Sequence, residues 1–257
     1  MLSEVREWLE RGGLAFEMDV ARRVGKYTDL LTQGEHYIDP VSQQEREIDV
    51  TGLLADPVDR SFTHFVEVIA ECKATTAPWI LFVGPTWANG PWEPVLNAQE
   101  DCPRCEAITL KLEELHRRLP TAYSITEKHA EKAVDHAYQA FQQVTNATLA
   151  GFKDGPGWSS HGSNVATVFG VPIVVTRSPL VLCSLSDSGD IDLATVRMAE
   201  VGVRRTDVPD SEGVGVIAVN IDALDDLMSE LATRAPDLMF ELASGSPSSA
   251  PSAASED

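Results

Sequence analysis

Four ionisable side chains fall in runs whose neighbours are mostly apolar: Glu17 in Phe16-Glu17-Met18-Asp19-Val20, Asp49 in Ile48-Asp49-Val50, and Glu71 and Lys73 in Val68-Ile69-Ala70-Glu71-Cys72-Lys73. Carboxylates brought within hydrogen-bonding reach repel one another, and a hard divalent cation such as Mg²⁺ relieves that repulsion while keeping several of its own waters. A metal held in this way polarises a phosphodiester oxygen and makes a bound water more acidic, and a second ion can help the leaving oxygen. A lysine beside it orients or deprotonates the attacking water, or neutralises charge developing on the phosphate. Asp49 and Glu71 are the expected ligands, with Glu17 completing the acidic set through a metal-bound water and Lys73 serving the reacting groups.

The elements that must position these residues follow from the local patterns. Arg46 to Leu54 alternates at period two, which predicts a strand with Glu47, Asp49 and Thr51 on one face and Ile48 and Val50 on the other. Phe65 to Lys73 predicts a second strand, with Glu71 and Lys73 sharing a face and Val66, Val68, Ala70 and Cys72 opposite. Asp56-Pro57 and Asp59-Arg60-Ser61 between them predict a hairpin loop over 55–64, so that Asp49, Glu71 and Lys73 converge. Glu17 lies on the second half of an amphipathic helix over 3–24 that Gly12-Gly13 divides, with Ser3 as N-cap and Gly25 as stop.

The rest of the chain reads as alternating strands and helices. An extended segment over 33–40 ends at Asp39-Pro40, and a short strand is expected within 74–84. A Pro- and Trp-rich loop over 84–105 carries Trp87, Trp92 and Cys102-Pro103-Arg104-Cys105. Helices are expected over 106–119 and 126–150, the latter with Thr126, Lys128 and Glu131 in its first turns and a loop after it over 151–162. Val171 to Thr176 predicts a buried strand, 180–185 with 191–198 a hairpin, 215–219 a strand, and 221–233 a helix. The residues from Ala243, rich in Ser, Ala and Pro, are expected to be disordered. The resulting division is a core over 1–180, a C-terminal α/β extension over 181–242 packed on it, and a tail over 243–257.

Composition limits the function classes. The chain of 257 residues is 43% apolar, enough for a substantial core, and no apolar run reaches the ~18 residues of a membrane span. The charged N-terminal segment has no secretory pattern, so the expected compartment is the cytoplasm, with no membrane partner and the four cysteines as reduced thiols. The Asn146-Ala147-Thr148 sequon carries no weight in that setting. A net charge of −20 argues against a protein that coats nucleic acid by itself, because phosphate binding needs clustered Lys and Arg. Residues 181–257 hold 15 acidic and 4 basic residues against 25 and 16 in 1–180, so the acidity is concentrated toward the C-terminus.

The order of Glu17 on a helix, Asp49 on one strand and Glu71-Cys72-Lys73 on the next resembles the PD-(D/E)XK, or restriction-endonuclease-like, nuclease superfamily, with Ile48-Asp49 standing where the pattern has Pro-Asp. The resemblance spans residues 4–176. It implies an α/β fold with a restriction-endonuclease-like core, a mixed central sheet flanked by helices and the C-terminal α/β extension beyond it. The implied activity is Mg²⁺- or Mn²⁺-dependent hydrolysis of DNA in a restriction, phage-defence or repair setting, with Asp49, Glu71 and Glu17 as metal residues. It also implies a glutamine on the later helix, Gln142 or Gln139. The acidic surface makes a homo-oligomer or a recruiting protein partner the expected source of affinity.

Two rivals compete with that reading. One is a nuclease-like protein without activity that works as an assembly module. The other is an interaction protein using the Trp-rich loop and a Zn²⁺ at Cys102 and Cys105; a structural zinc needs a second ligand pair, which only Cys72, Cys183, His116 or His161 could supply through the fold. No phosphate-binding Gly-Lys-Ser/Thr loop or His-Glu-x-x-His motif is present.

Overall fold

The computed structural model describes residues 1–55, 64–84, 95–98, 119–128, 134–153, 167–203 and 214–244. Trp87 and Trp92, Cys102 and Cys105, nearly all of the predicted 106–119 helix, most of the 55–64 loop and the tail beyond residue 244 lie outside them.

The N-terminal amphipathic stretch forms two helices, α1 (Leu2–Arg11) and α2 (Leu14–Val24), separated at Gly12 and Gly13. Gly13 has a φ of 83°, a left-handed value that glycine adopts without a Cβ penalty. Ser3 does not cap α1 but lies within it, and the cap residue is Met1. Gly25 closes α2 as expected.

Next come β1 (Leu30–Ile38), β2 (Glu45–Ala55), β3 (His64–Lys73), β4 (Trp79–Phe82), β5 (Val95–Ala98), β6 (Thr121–Ala122), β7 (Ser124–Glu127), helix α3 (His136–Lys153), β8 (Thr167–Thr176), β9 (Leu180–Leu185), β10 (Ile191–Val196), β11 (Met198–Val203) and β12 (Val214–Asn220). A 3₁₀ turn over Ile221–Ala223 leads into α4 (Leu224–Ser244). Thr126 is in strand β7 rather than in a helix, and α3 begins ten residues later. There Asp135 ends the approach: its carboxylate accepts from the Tyr138 amide at 2.9 Å and the Thr126 hydroxyl at 2.6 Å. Residues 151–153 continue α3 instead of opening the loop, and α4 runs through Ala243 and Ser244.

Two sheets result. The larger is mixed, in the order β1-β2-β3-β8-β12-β11-β6, with β5 also pairing β8. β1, β2 and β3 run antiparallel, whereas β3, β8 and β12 are parallel neighbours. The smaller sheet has the order β10-β9-β4-β7, so the strand after Lys73 leaves the main sheet.

Strand parity divides the main sheet between two cores. Val66, Val68, Ala70 and Cys72 of β3 join Phe16 and Val20 of α2 and Leu224, Leu227 and Met228 of α4. Ile69, on the opposite face, joins Ala137, Phe141 and Val144 of α3 and Trp79 and Leu81 of the small sheet. Residues 171–176 of β8 are buried on both faces, which accounts for their unbroken apolar run. The segment after residue 198 adds β11 and β12 to the main sheet and α4 to its first core. No helix among the described residues is long and apolar enough to cross a membrane.

Candidate active site

The hairpin predicted over Glu45 to Lys73 is a ladder that opens into a fork. β2 and β3 pair from Ala55↔Phe65 to Val50↔Ala70 and no further, although both strands continue. Beyond that point β2 stays with β1, and β3 stays with β8 through Lys73↔Thr176. Asp49 and Glu71 are the first residues past the split, and Lys73 lies two residues further along β3. Asp49 Oδ2 accepts the Cys72 backbone N–H at 2.6 Å, so a side chain replaces the lost strand partner at the crotch of the fork.

The predicted alternation along β2 does not survive the fork. Val50 belongs to the core of α2 and Ile48 to the core of α3, although period two would put both on one side. The β1–β2 register skips the Gly34 and Asp49 pair, and Gly34 has a φ of 67°. At this point both strands rotate, and their faces exchange. Thr51 consequently shares a face with Ile69, its ladder partner, and bonds Glu35 at 2.9 Å, while Asp49 sits at the crossing. The sequence pattern shows the acids but not the twist, because a left-handed glycine on the neighbouring strand is what turns them.

Burial and mutual repulsion dominate the electrostatics. Glu71 is 2% exposed, ion-paired with Lys73 Nζ through Oε1, and has no hydrogen-bond partner at Oε2. Burial first, then the charge of Asp49, holds Glu71 up at about 7 against the pull of Lys73. Asp49 is raised by burial, opposed by the Cys72 amide and Lys73. Glu17 is raised by burial and then by the charges of Asp49 and Glu47, while Lys73 pulls it down. The charge of Asp49 thus acts on both Glu17 and Glu71, and Glu47 acts on Glu17 and Asp49. The Cys72 thiol is pushed well up, mainly by burial, and is no nucleophile.

Neighbouring helices hold the arms of the fork. α2, carrying Glu17, is tied to α4: Arg23 Nη1 and Lys26 Nζ donate to the two oxygens of Asp225 at 2.8 and 2.9 Å. On the other side, α3 grips the outer arm. Tyr37 donates its hydroxyl to the Gln143 carbonyl at 3.3 Å, and the Asn146 amide donates to Asp39 Oδ2 at 2.9 Å. Asp39 Oδ1 in turn accepts from the Val41 and Ser42 amides, fixing the β1–β2 turn. Asn146, the sequon residue, is thus a buried structural amide.

Gln142 is half-buried and Gln139 exposed on α3. Among the described residues neither side chain bonds the acidic cluster, and α3 acts on the fork through Gln143 and Asn146 instead. Tyr37 was not foreseen: burial, then the charge of Asp39 and after it that of Glu71, push its hydroxyl upward, while Arg46 pulls it down. Its only sequence signal is an aromatic residue following the polar run Thr32 to His36.

The donor set suits a hard cation. Carboxylate oxygens, one of them buried and unpartnered, repel one another, and hard oxygen donors are what Mg²⁺ and Mn²⁺ take. As they stand, no three His, Cys, Asp or Glu side chains among the described residues close up into a metal cage. For zinc, Cys72 is buried in the α2 core and Cys183 lies on β9 in the other sheet, so the fold does not bring these two sulfurs together.

No family model matches the chain, and no match to it was found among curated proteins or solved structures.

Proposed function

We propose that this protein is a Mg²⁺- or Mn²⁺-dependent endonuclease that hydrolyses phosphodiester bonds of DNA on a restriction-endonuclease-like core. The observation that carries the reading is the fork. It gathers an aspartate, a glutamate with an unpartnered buried oxygen and a lysine at the split of two strands, with the charge of Glu17 acting on them from α2.

Asp49 and Glu71 would hold the cation and Glu17 would reach it through water. When bound, the ion supplies Lewis acidity at the phosphate and a more acidic water. The Asp49 carboxylate stays in place through the Cys72 amide, a donor fixed by the backbone of β3. Lys73 is oriented by Glu71 and presents its remaining protons to a phosphate oxygen or to the attacking water. Because the chain carries a charge of −20, a homo-oligomer or a recruiting partner concentrates it on DNA, in keeping with a cytoplasmic role in restriction, phage defence or repair.

A second reading, an inactive nuclease-like assembly module, draws on the same charge and on the Glu71–Lys73 ion pair, which leaves the acids held by protein rather than by metal. Plasmid DNA incubated with Mg²⁺ or Mn²⁺ and the wild type, Asp49→Ala or Lys73→Ala separates the two. The endonuclease reading requires cleavage by the wild type alone. Equal cleavage by all three rejects the site, and no cleavage under either metal favours the module.

A further inference from the structure

We propose that Arg177 grips a phosphate of the DNA strand beside the one under attack, an inference that rests on the nuclease reading. The parallel register of β3 and β8 ends at Lys73↔Thr176, so Arg177 emerges at the same end of the sheet as Lys73. Its guanidinium carbon stands 4.7 Å from the centre of the Phe16 ring, and Phe16 directly precedes Glu17 on α2. Arg177 therefore bridges the strand end and the helix that frame the fork.

Its state is that of a cation held ready. The side chain is exposed, and among the described residues it has no carboxylate partner. Arg22 and Arg23 are paired with Asp19, Lys26 with Asp225, Arg197 with Asp226 and Lys73 with Glu71. A cation–π contact with Phe16 holds the guanidinium without using its N–H donors, and those donors are what grip phosphate oxygens in pairs.

The platform is rigid as well. Thr176 and Ser178 are fully buried; the Ser178 amide donates to Thr176 Oγ1 at 3.0 Å, its hydroxyl to the Thr75 carbonyl at 2.9 Å, and its carbonyl accepts from Asn220 Nδ2 at 3.1 Å. Arg177 follows Thr176, the register partner of Lys73, on the neighbouring strand, a position that suits a phosphate next to the one Lys73 serves. An acidic protein also needs at its cleft a cation that its own carboxylates have not neutralised.

The test uses the full chain with Arg177→Gln and Arg177→Lys. Cleavage of plasmid is followed against DNA concentration, and binding of a short fluorescein-labelled duplex is followed by anisotropy across a salt series in an Asp49→Asn background. Loss of one phosphate contact raises KM about tenfold, the loss lying in KM rather than kcat, and lowers the slope of log affinity against log salt by about 1; Arg177→Lys restores the slope and part of the affinity. A wild type that cleaves while Arg177→Gln keeps its KM and slope overturns the arginine's role and leaves the nuclease reading intact. A wild type that neither binds nor cleaves the DNA overturns both.

Discussion

Glu67 and Glu71 stand on the same face of β3, and each is held up at about 7, yet their surroundings give them different capacities. Glu67 lies where the ladder is closed, paired across to Leu53, and is raised by burial and by the charge of Glu35. Glu35 is in turn bonded by the Thr51 hydroxyl. Glu71 lies one step past the split, with Lys73 on one oxygen, Asp49 across the gap and its second oxygen unpartnered. A perturbed carboxyl is therefore not in itself a site. Burial and a neighbouring acid perturb both, and only Glu71, past the end of strand pairing, has a lysine on one oxygen and the other oxygen unpartnered.

The largest effect that sharpens this comparison is on cleavage. If the protein is the proposed endonuclease, Glu71→Gln lowers kcat/KM on the order of 10³-fold, as the loss of a group stabilising the transition state does, whereas Glu67→Gln cleaves as the wild type does. Initial rates of plasmid nicking measure both. Similar losses in the two variants would mean that the fork confers nothing the closed ladder lacks.

A smaller effect separates the two acids by stability. Below the ordinary glutamate value near 4.5, Glu67 is protonated whether the chain is folded or unfolded and costs nothing. As pH rises from there to about 7 the unfolded chain loses this proton first, so the folded state is progressively destabilised, and the cost is complete above 7. Glu67→Gln is accordingly more stable than the wild type at pH 8, on the order of 1–3 kcal/mol, and the gain disappears near pH 4.5. Urea midpoints across that range read the difference; a gain that does not change with pH would place its origin in packing.

The smallest expected effect concerns the twist itself. At Gly34 an alanine would take a φ of 67° and its Cβ would meet Glu47 Oε1 at 2.9 Å, a contact the flexible carboxylate can yield. Gly34→Ala costs about 1 kcal/mol through the left-handed backbone. On the endonuclease reading it also lowers cleavage, by moving the arm that carries Asp49, while the pH dependence contributed by Glu67 stays as it was. Unchanged cleavage in a destabilised variant would detach the twist from the site.

Much of this was legible in residue order. Two halves of a helix parted by glycines, two strands with a turn signal between them, a doubly buried strand at Val171–Thr176 and a hairpin around Gly189 follow from periods of 3.6 and 2 and from turn chemistry, all short-range properties. The types of Glu17, Asp49, Glu71 and Lys73, set in apolar runs, were legible too. The contacts by which α3 holds the fork were not legible: they run through the Gln143 backbone carbonyl and the buried Asn146, and neither has a spacing to read.

What the chain's order alone determined, then, was which acids and which lysine sit on strands and a helix, because side-chain alternation is dictated by a residue's immediate neighbours. Tertiary structure alone decided where β2 leaves β3, that the faces exchange at Gly34 and Asp49, that a backbone amide replaces the missing partner, and that Arg177 stacks on Phe16 beside the same opening. Each of these depends on contacts between residues far apart in the chain, and such contacts leave no period behind them.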